Sequence, residues 1–126
     1  MQHTNPNPPI KSVCTTTNAA TDSNPVFIVE TYKNGTEWYR KYSDGTIEQG
    51  GWGNDLVKDA VFTHNFVTAF TDANSVTMDF TFISAATYSN YRGSLALASN
   101  TTTTFSVHND LYINNNGGYY WRAVGK

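Results

Sequence analysis

The chain has 126 residues, of which 14% are charged and 14% aromatic, and its net charge is -2. The charged share lies well below the roughly 25% of ordinary globular domains, and Thr, Asn, Ser and Gly fill the gap, which describes a polar, uncharged surface on a backbone of strands and turns. This balance argues against nucleic acid as a partner, since that takes a basic face. No apolar run approaches the roughly 20 residues of a membrane span, and no basic-then-apolar signal opens the chain.

Residues 1–24 carry Pro6, Pro8 and Pro9 among Asn, Thr and Ser, with few large apolar side chains. Such a segment buries too little surface to offset its ordering entropy and is expected to be an extended linker or the end of a shaft. Cys14, the single cysteine, excludes an intrachain disulfide and reads as a free thiol. Residues 25–126 form the body. Val26 to about Lys33 is the first expected strand, Thr36 to Tyr42 the second and Thr46 to Gln49 the third. Asn34-Gly35 and Ser43-Asp44-Gly45 between them are hairpin turn signals, because glycine there supplies a positive φ at no steric cost. The three strands make an antiparallel meander, followed by a turn around Gly50-Gly51-Trp52-Gly53 and a polar connection from Asn54 to Asp59.

Ala60 to Thr71 reads as two short strands or one bent one, and Asp72-Ala73-Asn74 as a turn. From Ser75 to Ile83 the period is two: Val76, Met78, Phe80 and Phe82 share one side, Thr77, Asp79 and Thr81 the other, as in a strand buried on one face. Ser84 to Arg92 is expected to be a long loop. Ser94 to Ala98 and Thr101 to Val107 are further strands, with Leu95 and Leu97, then Phe105 and Val107, facing inward. Asn109-Asp110 and the run from Asn114 to Gly118 are turns. Tyr119 to Val124 closes the chain with Tyr119, Trp121 and Ala123 on one side. Short strands with regular turn signals and no helical period point to an all-β fold, an antiparallel β-sandwich or a barrel, of which the sandwich is expected.

Glu30 to Gly51 reads ETYKNGTEWYRKYSDGTIEQGG and resembles the pattern ESY-NGT-WYR-YSDG-IEQGG of bacteriophage tail-fibre tips. Thr101 to Val107 is similar to that family's TTTGFTV strand, with Thr104 where Gly is usual. The ending from Tyr119 to Gly125 resembles FYW-A-GY, with Val124 where Cys or Ile often precedes the glycine. The resemblance covers about Val26 to Lys126. It implies a homotrimeric knob at the distal end of a tail fibre, on a virion or a prophage-derived tail-like particle. Such a tip binds a bacterial surface receptor: lipopolysaccharide, capsule or an outer-membrane protein.

Catalytic chemistry finds little support. Glu30, Glu37 and Glu48 lie on the meander, and paired carboxylates are what a glycosidase needs. Glu30 and Glu48, however, alternate with apolar residues, and solvation on the outer side accounts for them. His3, His64 and His108 lack metal-ligand spacing, no Gly-x-Ser-x-Gly elbow occurs, and no cofactor is implied. Trp52 in its glycine-rich turn, Tyr88, Tyr91 and Arg92 in the long loop, and Tyr112 and Asn115 at the Asn-rich turn suit sugar recognition. Flat rings take the C–H side of a sugar, and planar polar groups take its hydroxyls. The expected function is non-catalytic adhesion. The alternatives are a small fibre-borne glycan hydrolase and a purely structural trimerisation domain.

Overall fold

Period-two alternation decides which side each strand buries, and the turns decide where each strand ends. A computed structural model describes residues 10–13 (backbone only), 25–54, 60–83, 95–109 and 118–126. Its strands are β1 (Ile10–Val13), β2 (Ile28–Asn34), β3 (Glu37–Tyr42), β4 (Ile47–Gly53), β5 (Ala60–Asn65), β6 (Thr77–Ile83), β7 (Leu95–Asn100), β8 (Thr104–Asn109) and β9 (Gly118–Gly125), with one 3-10 turn at Ala73–Ser75. There is no α-helix among the described residues.

Two antiparallel sheets form, one of six strands in the order β1-β2-β3-β4-β9-β6 and one of three in the order β5-β8-β7. They face each other over a core of Ile47, Tyr119, Trp121 and Ala123 from the large sheet and Phe105 and Val107 from the small one, with Phe66 and Phe70 from the connection after β5. Phe105 is the hub: its ring centroid lies 4.9 Å from Trp121, 5.1 Å from Phe66 and 6.1 Å from Phe80. Aromatic contacts of this kind add about 0.5–1.5 kcal/mol each beyond simple area burial. Phe80 and Phe82 of β6 and Leu95 and Leu97 of β7 close the side of the core, on the inward positions that alternation assigns them.

The meander forms as expected, with β2 paired to β3 and β3 to β4. Gly35 and Gly45 have φ of 63° and 91°. At the second turn Asp44 Oδ1 accepts from the Thr46 backbone N–H at 2.9 Å. Within the leader, residues 10–13 add a short edge strand to β2, with Ile10 opposite Lys33 and Val13 opposite Glu30.

Four expectations are corrected. The third strand does not stop at Gln49; it runs through Gly53, so Trp52 stands on a strand and not in a flexible turn. The glycines here make room for rings: a Cβ on Gly50 would lie 2.9 Å from the Trp38 indole, one on Gly51 3.1 Å from Trp121, and one on Gly53 would collide with the Tyr119 ring. Second, Thr101–Thr103 turns before β8, because Thr101 Oγ1 accepts from the backbone N–H groups of Thr103 and Thr104 at 3.1 and 3.0 Å. Third, Asn109 is not in a turn but is the fully buried last residue of β8.

Fourth, no second strand follows β5. Residues 66–72 are irregular, and their polar groups are satisfied from outside the segment. Phe66 and Phe70 donate to the carbonyls of Thr103 and Thr102, both at 2.9 Å. The fully buried Gln49 accepts at Oε1 from Val67 and Thr68 N–H, at 2.7 and 3.0 Å, and donates from Nε2 to the Thr68 carbonyl at 2.8 Å. One side chain thus does for this segment what a partner strand would do.

Two stability predictions follow from these positions. Gly35→Val should lower the unfolding free energy by about 1 kcal/mol or more, through strain alone, because a Cβ there meets nothing within 4 Å. Urea denaturation indistinguishable from the parent would contradict the positive φ. Gln49→Leu should cost about 3 kcal/mol, since it strands two donors and an acceptor in a half-buried place. An unchanged urea midpoint for that variant would show that water replaces the amide.

Candidate functional site

The strand registers bring Gly53, Ala60, Ile83, Leu95, Asn109 and Gly118 to one end of the sandwich. Ile83 pairs with Gly118, and both Ala60 and Leu95 pair with Asn109. Gly53 pairs with Tyr119 at the same end. The roots of segments 54–59, 84–94 and 110–117 are therefore neighbours across two hydrogen-bonded sheets. The opposite end holds residues 66–76, the turn at 101–103 and Lys126, whose carbonyl accepts from Thr71 and Asp72 at 2.9 and 2.7 Å.

Of the residues expected to bind, Tyr88, Tyr91, Arg92, Tyr112 and Asn115 lie outside the described residues; the registers place only the roots of their segments. Trp52 is described. Its indole lies over Gly118, where a Cβ would collide with it, and edge-on to Tyr120 with centroids 4.7 Å apart. Tyr120 is 52% exposed. The pair stands on the outer face of the large sheet at the end where Gly53, Ile83 and Gly118 lie, opposite each other on β4 and β9. Alternation signals Tyr120, because its neighbours Tyr119 and Trp121 both point inward, yet the sequence reading passed over it.

The rest of that outer face is ordered in rows. Trp38, Gly50, Arg122 and Asp79 run across β3, β4, β9 and β6; Arg40, Glu48, Val124 and Thr77 form the next row. The Arg40 guanidinium sits 5.1 Å from the Trp38 ring centroid. Glu48 is not merely solvated as expected. Its Oε1 accepts a short hydrogen bond from the Tyr42 hydroxyl and its Oε2 accepts from Arg122 at 2.5 Å, while Asp79 approaches the same guanidinium at 3.9 Å. The Tyr42 bond, then Arg122, holds the Glu48 carboxyl below its ordinary range, and the same bond pushes Tyr42 up. Glu30 is likewise engaged, 3.2 Å from Lys41 Nζ. Burial, and after it the hydrogen bond to Glu30, pushes Tyr39 up to about 12.

A glycosidase acid needs a carboxyl whose pKa is raised, and Glu48 is shifted the other way. Among the described residues no group of three His, Cys, Asp or Glu side chains could hold a metal ion.

The described residues form an all-β sandwich of two antiparallel sheets. It has counterparts among solved structures. An N-truncated R2-type pyocin tail fibre matches with a TM-score of 0.63 and 21% identity, over 81% of this chain and 38% of that one. A C-terminal portion of the R2 pyocin fibre of P. aeruginosa matches with a TM-score of 0.59 and 17% identity, over 87% of this chain and 30% of that one. An N-truncated R1-type pyocin tail fibre matches with a TM-score of 0.57 and 21% identity, over 81% of this chain and 86% of that one. At these identities the likeness is one of fold, and it is the fold that the tail-fibre resemblance of the sequence motifs implies. No family model matches the chain, and no curated protein does.

Glu48 generates a pH prediction. Its folded carboxyl holds a proton less tightly than the unfolded one, so its stabilisation is complete above the unfolded value of about 4.3 and is lost as pH falls through the folded value. Melting temperatures taken from about pH 6 to about pH 3 should therefore fall more steeply for the parent than for Glu48→Gln. Parallel curves would show that the Tyr42–Glu48–Arg122 cluster contributes no net stability.

Proposed function

We propose that this chain is the receptor-binding tip of a tail fibre, carried by a phage virion or a prophage-derived tail-like particle, and that it attaches to a bacterial surface glycan or outer-membrane protein without catalysis. Residues 25–126 form the knob, and residues 1–24 join it to a fibre shaft. The observation that carries the reading is that the strand ends flanking residues 55–59, 84–94 and 110–117 meet at one end of the sandwich, beside the Trp52–Tyr120 pair. Those segments contain Tyr88, Tyr91, Arg92, Tyr112 and Asn115. The likeness to pyocin tail fibres supports the setting.

Three copies of the knob act together. Val26, Ile28, Val61, Ile83 and Tyr120 are large apolar side chains left exposed on one chain, and a three-fold assembly would cover part of them. Weak single sites then gain avidity by orders of magnitude through effective concentration. For the hydrolase alternative, Glu48 makes a poor general acid, since its carboxyl is held below its ordinary range by the Tyr42 hydrogen bond and Arg122. The purely structural alternative is disfavoured by the Trp52–Tyr120 pair, which leaves Tyr120 52% exposed on the outer face.

The Tyr91→Ala, Arg92→Ala double variant should lose adsorption to host cells while keeping its melting temperature and the mass of a trimer by light scattering. Unimpaired adsorption would move the site elsewhere on the knob, and a monomeric parent at micromolar concentration would overturn the trimer. Shortening of purified surface polysaccharide on incubation with the parent would overturn the non-catalytic assignment.

A further inference from the structure

We propose that a hollow between β2 and β3, built from Lys33, Trp38, Arg40 and Thr31, is a second binding site, one that takes an anionic sugar. The inference rests on the adhesion reading but uses a different surface. The hollow has a volume of about 380 Å³ and is lined by Thr31, Tyr32, Lys33, Trp38, Tyr39 and Arg40. Register sets its contents: Lys33 stands directly opposite Trp38, and Thr31 opposite Arg40. Alternation puts these four side chains on one face, whereas Tyr32 and Tyr39 stack on each other on the other, with centroids 5.1 Å apart.

Charge selects the ligand. Lys33 and Arg40 are exposed cations, and among the described residues no carboxylate lines the hollow. The nearest across the strands is Glu48, opposite Arg40, and its two oxygens already accept from Tyr42 and Arg122. The Arg40 guanidinium lies over the Trp38 ring, 5.1 Å from its centroid, and a guanidinium offers a planar fork of donors that matches a carboxylate or phosphate.

Shape narrows the choice further. Trp38 lies flat because Gly50 beneath it has no side chain. A planar indole beside planar donors suits a sugar ring that presents C–H groups on one side and an anion on the other. The volume falls near the lower end of the roughly 300–1,000 Å³ of ligand pockets, enough for one or two sugar rings and too little for a protein segment. A second copy of the same patch would set cations against cations.

The test is two-dimensional NMR on the isotope-labelled full chain, titrated with glucose 6-phosphate and with glucuronate, against glucose and inorganic phosphate as controls. At least one anionic sugar should shift the Trp38 indole N–H and the Arg40 amide saturably, leaving the buried Trp121 indole unmoved. Added salt should weaken the binding, and Arg40→Ala or Lys33→Ala should weaken it by about tenfold or more, since a charge-assisted hydrogen bond is lost. Both side chains are exposed, so folding is preserved. Which sugar binds distinguishes a phosphorylated from an acidic saccharide.

Equal affinity for inorganic phosphate would reduce the hollow to an ion site, and equal affinity for glucose would remove the charge selection; either overturns the proposal. So would shifts centred on Trp52 and Tyr120, or none up to about 50 mM ligand, a range that reaches even weak single-sugar affinities. If the chain adsorbs to cells but the hollow binds neither anion, this inference fails and the adhesion reading stands. If the hollow binds an anion but the chain does not adsorb, the adhesion reading fails and the hollow remains.

Discussion

Large rings must fit against both faces of β4, and the structure depends on glycine to allow it. On the inner face Trp121 crosses Gly51 and the Tyr119 ring fills the space above Gly53; on the outer face Trp38 crosses Gly50. Glycine in a strand usually weakens it, since it packs nothing and loses more conformational freedom on folding. Here neighbouring rings cover the backbone and recover the apolar burial that a side chain would have made. The same device recurs on β9, where Trp52 lies over Gly118. The core, the meander and the outer aromatic surface are thus built on one short, nearly side-chain-free stretch of backbone, and a methyl group at Gly53 would disturb a fully buried tyrosine.

The two faces of the large sheet then take different characters. The inner face is apolar where it meets the small sheet except for Gln49, and turns charged only towards β2 and β3, where Glu30 pairs with Lys41 beside Tyr39; the Gln49 amide ties the irregular segment after β5 to the sheet and lets the chain cross from one layer to the other without stranded backbone groups. The outer face alternates rings with charges, and most of its charges are matched: Arg122 serves both Glu48 and Asp79, and Tyr42 completes the shell of Glu48. Lys33 and Arg40 are exposed cations of this face beside an indole, Arg40 directly opposite Glu48. A rigid sheet that carries flat rings and fixed donors presents a preformed surface, so a ligand bound there costs little reorganisation.

Much of this was legible in the chain. Hairpin turns at Asn34-Gly35 and around Asp44-Gly45 follow from turn chemistry, and the inward sets of β6, β7, β8 and β9 follow from alternation, because both signals are local and each residue carries its own preference. The errors cluster where local signals mislead. Gly50-Gly51-Trp52-Gly53 looks like a turn because glycine is the usual residue of turns; it is a strand because rings from β3 and β9 occupy the missing side chains. Thr101–Thr103 has strand composition, yet one threonine hydroxyl captures two backbone N–H groups and bends the chain.

By itself the sequence determined the all-β class, the meander, the faces of the strands and the set of aromatic and Asn-rich segments suited to recognition, since period and turn residues act within a few positions of one another. Tertiary structure alone decided three further matters. Strand order placed β9 between β4 and β6, which brought Trp52 to Tyr120 and Glu48 to Arg122 across long sequence separations. Antiparallel registers gathered the roots of three segments at one end. Packing decided which charges stay unmatched, because a carboxylate's partner depends on which strands lie side by side, and no local pattern encodes that adjacency.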